Sequence, residues 1–151
     1  VEGEKAPAFT LANKENKQVS LDSIDAEYIV LFFYPKDDTP GCTLEAKGFN
    51  AYQAEFEKKN VELLGISGGD KRSKEKFCKK HSLDLNLLID SDFEVATRYQ
   101  AYGEKKFMGR TFEGIHRKTF ILDRDKTILK VFEKVSPKNH PQEVLAFLEE
   151  I

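Results

Sequence analysis

Cysteine is scarce in this chain. Two in 151 residues are too few for the disulfide framework of a small secreted domain, so the expectation is a reducing compartment, the cytoplasm, with thiols kept for chemistry. No stretch approaches the roughly 20 consecutive apolar residues of a membrane-spanning helix. The opening residues Val1-Glu2-Gly3-Glu4-Lys5 are unlike a signal peptide. Charge of one sign is also lacking. A formal net charge of −2 and a pI near 6.0 leave no strongly basic face to grip nucleic acid or an anionic membrane, so small neutral substrates stay open. Internal repeats, low-complexity stretches and shifts in composition are absent too. Residues 1–151 therefore read as one domain, and 40% hydrophobic residues suffice for a single core.

Against these absences stands a continuous apolar run, Tyr28-Ile29-Val30-Leu31-Phe32-Phe33-Tyr34, the pattern of a central strand buried on both faces. Pro35 ends it. Thr39 then suits a helix N-cap and Pro40 the first helical position, which puts Cys42 in the first turn. The unpaired backbone N–H groups and positive dipole end of that turn favour a thiolate. Leu44, Phe49, Tyr52 and Phe56 recur at near-helical spacing and predict one long helix from about 40 to about 59. Upstream, Phe9-Thr10-Leu11 and Gln18-Val19-Ser20-Leu21 predict a short N-terminal hairpin. Downstream, Val61 to Ser67 predicts a strand and Asp70 caps a helix over 71–81. Leu85 to Ile89 is a further strand, and Asp92 to Tyr102 a short helix closed by Gly103. Lys118 to Leu122 pairs with Thr127 to Phe132 across Asp123-Arg124-Asp125-Lys126. A last helix starts at Pro141, with Val144, Leu145, Leu148 and Ile151 as its apolar stripe.

Pro-x-x-x-Thr-x-x-Cys, spelled by Pro35, Thr39 and Cys42, resembles the peroxidatic-cysteine motif of peroxiredoxins. Tyr34 to Thr43 with Glu45, and Tyr102 to Gly109 followed by Gly114-Ile115-His116-Arg117-Lys118-Thr119-Phe120-Ile121-Leu122-Asp123, resemble in particular the bacterioferritin comigratory protein or peroxiredoxin Q branch. The resemblance implies an α/β, thioredoxin-like fold with an N-terminal β-hairpin extension and a central mixed sheet flanked by helices. It also implies a thiol peroxidase that reduces hydrogen peroxide and organic hydroperoxides without metal, haem or flavin. Thioredoxin or a similar dithiol is the implied reductant, and a monomer the implied state.

By the same resemblance Pro35 shields the sulfur, Thr39 positions the peroxide, Cys42 attacks it, Arg117 stabilises the thiolate and the developing charge, and Glu45 acts from behind as an orienting residue. The chemistry agrees, because a thiolate that forms more easily is also a weaker nucleophile, so donors aimed at the breaking O–O bond must supply the rest. Many members of the branch carry a second cysteine at the position that Lys47 occupies here. That arrangement is excluded. Cys78, in the 71–81 helix, resembles the resolving cysteine of a sub-group, and the basic residues around it are expected to favour its thiolate. The alternatives are a one-cysteine peroxidase with Cys78 as a bystander, or a peroxide-sensing binding or chaperone-like module. Two further readings fail. Cys42 is followed by Thr43-Leu44-Glu45, so there is no Cys-x-x-Cys dithiol, and Cys78-Lys79-Lys80-His81 has no second closely spaced pair to complete a zinc site.

Overall fold

A computed structural model describes residues 2–37 and 39–151. Its centre is β3 (Tyr28–Phe33), the apolar run, which pairs parallel with β4 (Val61–Ser67) on one side and antiparallel with β8 (Lys118–Asp123) on the other. Every β3 residue after Tyr28 is buried. Because successive side chains alternate, Ile29, Leu31 and Phe33 enter one core and Val30, Phe32 and Tyr34 the other. Burial of each such side chain contributes about 1.5–3 kcal/mol, so this strand ties both layers together.

The sheet is completed by β1 (Thr10–Asn13), β2 (Gln18–Ser20), β5 (Asn86–Ile89) and β9 (Ile128–Phe132), in the order β2-β1-β5-β4-β3-β8-β9. The predicted N-terminal hairpin is thus β1–β2, docked antiparallel on β5 at the sheet edge. Helices α1 (Pro40–Ala51), α2 (Gln53–Lys58), α3 (Lys71–His81) and α5 (His140–Glu150) supply Ala46 and Phe49, Phe56, Phe77, and Val144 and Leu148 to one core. On the other face α4 (Glu94–Arg98) supplies Val95 and Ala96. This is the mixed sheet flanked by helices that the sequence implies.

Four expectations need correction. The long helix breaks at Tyr52, where the Asn50 side-chain oxygen accepts from Asp84 N–H at 2.8 Å and the Gln53 amide donates to the Asp84 carbonyl at 3.1 Å. The predicted 92–102 helix is only α4, closed by Gln100 in the left-handed region at φ 58°. Gly103 ends nothing. It lies in β6 (Tyr102–Phe107), which pairs with β7 (Arg110–Ile115) as a hairpin the sequence reading missed. Its two-residue loop, Met108-Gly109, has φ 51° and 79°, the positive values that match a hairpin's strand twist. In α5, Val144 and Leu148 are buried but Ile151 lies beyond the helix, 54% exposed. Asp70 does cap α3, its carboxylate accepting from Ser73 N–H at 2.7 Å.

Candidate active site

Strand register creates the site. Phe33, the last residue of β3, lies opposite Lys118, the first of β8, so Arg117 sits at the strand end where the chain leaves the sheet for α1. Pro40 fills the first helical position and Cys42 follows in the first turn, 1% exposed. Arg117 Nη1 reaches Cys42 Sγ at 3.3 Å and Glu45 Oε1 at 3.4 Å. One guanidinium nitrogen therefore serves both partners. Gly41 makes the approach possible, since a Cβ there would stand 3.0 Å from Arg117 Nη2.

Glu45 is 1% exposed and its second oxygen, Oε2, has no hydrogen-bond partner. Burial pushes its carboxyl from 4.5 up to about 7, against the opposing pull of Arg117. The ion pair and the raised value point different ways. Burial dominates because 3.4 Å is long for a charge-assisted bond and half of the carboxylate is desolvated without a donor. A neutral Glu45 leaves the charge of Arg117 to the sulfur.

Thr39 is the N-cap residue by backbone, its carbonyl accepting from Thr43 N–H at 2.8 Å, but its hydroxyl caps nothing. That hydroxyl donates to the Lys36 carbonyl at 3.0 Å. With the proton committed there, the oxygen is left to act as an acceptor. Pro35 is half-buried beside Tyr34 at the start of this loop.

Lys105, on β6, escaped the sequence reading because its hairpin did. Its ammonium donates to the Ile115 carbonyl at 2.9 Å. Burial and Arg117 push its pKa down while Cys42 draws it up, which places a second cation in the field of the thiol. His116 is pushed down by burial and then by Lys105 and Lys118, so its ring is neutral near pH 7 and adds no charge beside Arg117.

Cys78 lies on the buried face of α3 with Phe77, in the same apolar cluster as Cys42, and both thiols are free. The expected thiolate character is not there. Burial pushes the Cys78 thiol up and outweighs Lys14 and Lys74, while most of the helix's cations, among them Lys71, Arg72, Lys76, Lys79 and Lys80, are exposed.

Residues 2–131 match the model of the AhpC/TSA family. The chain belongs to that family. A putative peroxiredoxin bcp of Helicobacter pylori strain J99 is 44% identical over 97% of this chain and 96% of its own length. Peroxiredoxin Bcp of Escherichia coli K12 is 38% identical over 98% and 95%. The bacterioferritin comigratory protein of Xanthomonas campestris, described for alkyl peroxide reduction, superposes with a TM-score of 0.91 at 31% identity, covering 97% of this chain and 95% of that one. The fold is thioredoxin-like, the branch is that of bacterioferritin comigratory proteins and peroxiredoxin Q, and the protein is a thiol-dependent peroxidase.

Proposed function

We propose that Cys42 is the peroxidatic residue and that Arg117 is its electrostatic partner; the 3.3 Å contact between Nη1 and Sγ carries this reading. Arg117 holds the thiolate, which attacks the distal oxygen of a hydroperoxide. The O–O electrons leave on the proximal oxygen, which takes a proton and departs as water or alcohol. Cys42 is left as a sulfenic acid. As charge builds on the leaving oxygen, the fixed fork of Arg117 and the half-buried Lys105 cation supply the stabilisation. Thr39 Oγ1 accepts from the peroxide O–H and orients it, Pro35 keeps water from the sulfur, and Glu45 holds the guanidinium in place.

Cys78 resolves the sulfenic acid as an intramolecular disulfide, and thioredoxin or a similar dithiol reduces it. Cysteine-to-serine variants of Xanthomonas campestris peroxiredoxin Q at two positions as far apart in sequence as Cys42 and Cys78 support the pairing. We place the protein in the cytoplasm as a monomer without nucleic-acid or membrane partners; among the described residues no helix is long and apolar enough to cross a membrane. The test is NADPH oxidation coupled through thioredoxin reductase and thioredoxin to a peroxide. Cys42→Ser should consume no peroxide, while Cys78→Ser should reduce one equivalent and lose turnover. Normal turnover in Cys78→Ser would establish the one-cysteine reading, and one-equivalent consumption by the wild type would establish the sensor.

A further inference from the structure

Lys74 is completely buried, an unusual place for an ammonium. Its partners come from the end of β4 and from the segment that follows β3. Its Nζ pairs with Asp37 Oδ2 at 3.1 Å and donates to Ser67 Oγ at 2.5 Å and the Gly68 carbonyl at 2.8 Å, above the Tyr34 ring at 5.4 Å. Asp37 in turn accepts from Tyr34 Oη at 2.7 Å and from Ser73 Oγ at 2.5 Å. The network joins α3, the end of β4 and the loop that leads from β3 to Cys42. Lys74 thus anchors α3 alongside the buried Phe77.

Lys74 is one turn before Cys78 on the buried face of α3, and Asp37 is in the loop just before the Cys42 helix. The close helical neighbours of α1 are α2 and α5 rather than α3. Both thiols are buried and unbonded in the docked state, and a disulfide needs Cα atoms within about 7 Å and Cβ atoms aimed at each other, so a cysteine-bearing segment must leave its docked position to form one. We propose that the buried Lys74–Asp37 pair is the catch that holds α3 against the Cys42 loop, and that its release positions Cys78 to attack oxidised Cys42. The inference rests on Cys78 being the resolving thiol.

In the docked state every Lys74 proton and both Asp37 oxygens have partners; in the open state both charges are hydrated. An ion pair is suited to such a catch because each end state satisfies it, while removing one member leaves the other charge buried and bare. After release, the Cys78 sulfur attacks the Cys42 sulfur. The S–S bond forms as the S–O bond breaks, and the hydroxyl leaves with the Cys78 proton as water. While the catch is closed, a second peroxide molecule instead transfers an oxygen to the sulfenic acid, giving sulfinic acid and water. The state of the catch therefore sets the partition between disulfide and sulfinic acid.

The experiment treats the reduced protein with graded hydrogen peroxide and reads the 42–78 disulfide and the Cys42 sulfinic acid by mass spectrometry. Lys74→Met leaves the Asp37 carboxylate with hydroxyl donors only, so the catch weakens and the peroxide concentration giving half sulfinic acid should rise about tenfold or more. Adding Asp37→Asn removes the second charge but keeps an acceptor for Tyr34, and the partition should return toward the wild type. Amide exchange of the reduced wild type should show Thr43 and Lys74 opening together, which tests the catch even if Lys74→Met does not fold. A disulfide that forms with the same partition in all three proteins, or independent opening of the two amides, overturns the catch alone. A wild type that forms no 42–78 disulfide overturns both the catch and the role of Cys78.

Discussion

Replacing Glu45 by Gln isolates one buried titration beside the Cys42 sulfur. The native carboxyl is held at about 7 against 4.5, so the folded protein keeps a proton that the unfolded chain has already lost over that interval. Stability must fall as pH rises wherever the folded state binds more protons. It is unaffected below about pH 4.5, declines by about 1.4 kcal/mol per pH unit up to about 7, and levels off above that, a total loss of about 3 kcal/mol. Glu45→Gln cannot titrate. Its amide must be placed where Oε2 already lacks a partner, so it brings a constant penalty of its own, and only the pH-dependent part of the difference is informative.

The assay is urea unfolding of wild type and Glu45→Gln at pH 4.5, 6 and 8. The stability of the variant relative to wild type should rise by about 3 kcal/mol across this range. Asp90, raised by burial, and His140, lowered by burial, also titrate with folding, but both are common to the two proteins and cancel in the comparison. A parallel measurement in Arg117→Met sharpens it. Without the guanidinium that lowers it, Glu45 should ionise at still higher pH, so the decline should extend further. A difference between wild type and Glu45→Gln that stays flat with pH would mean that Glu45 ionises normally and neutralises Arg117. The idea that a protonated Glu45 leaves Arg117 to the sulfur would then be wrong.

Two further substitutions test the arginine itself. Arg117→Ala should lower the rate constant for Cys42 oxidation by about 10²–10³-fold, the usual effect of removing a preorganised donor, and Arg117→Lys should recover only part because a mobile point charge lacks the rigid planar fork of the guanidinium; competition with a haem peroxidase for limiting peroxide would measure it, and unchanged rates would move the role to Lys105. Gly41→Ala should separate stability from activity, since alanine at this helical position stabilises by about 0.4–1 kcal/mol while its Cβ, 3.0 Å from Nη2, displaces the guanidinium. A raised melting temperature with a rate about three- to tenfold lower is the expected pair of results; a full rate would show that Arg117 tolerates the shift.

Much of this was legible in the chain, for reasons that differ by element. The β3 run, the capped α3 and the β8–β9 hairpin announce themselves because their periodicity and punctuation are local. The β6–β7 hairpin does not. Glu104, Lys106, Arg110, Thr111, Phe112 and Glu113 are exposed, so no alternation marks it, and its one signal was Gly109 at the second position of a two-residue loop. Lys105 was lost with it. Lys74 was hidden by its company, since a lysine among Lys71, Arg72 and Lys76 reads as part of a solvated face until Asp37 is found beneath it. Local patterns report burial along one element, whereas this pair depends on where a loop after β3 meets a helix after β4.

Arg117 shows the same limit from the other side. Nothing in its own neighbourhood distinguishes it from Arg110 or Arg124, and only the family-like spelling around it singled it out. The physical reason appears once β8 is seen to run antiparallel to β3 with Lys118 opposite Phe33, for then the residue before Lys118 must stand beside the loop that delivers Cys42. The register that buries Ile121 and Leu122 in the core is the register that places the guanidinium. A one-residue slip would turn every β8 side chain to the opposite face and carry Arg117 away from the sulfur, so the pairing of β8 with β3 positions the charge on which the chemistry proposed for Cys42 depends.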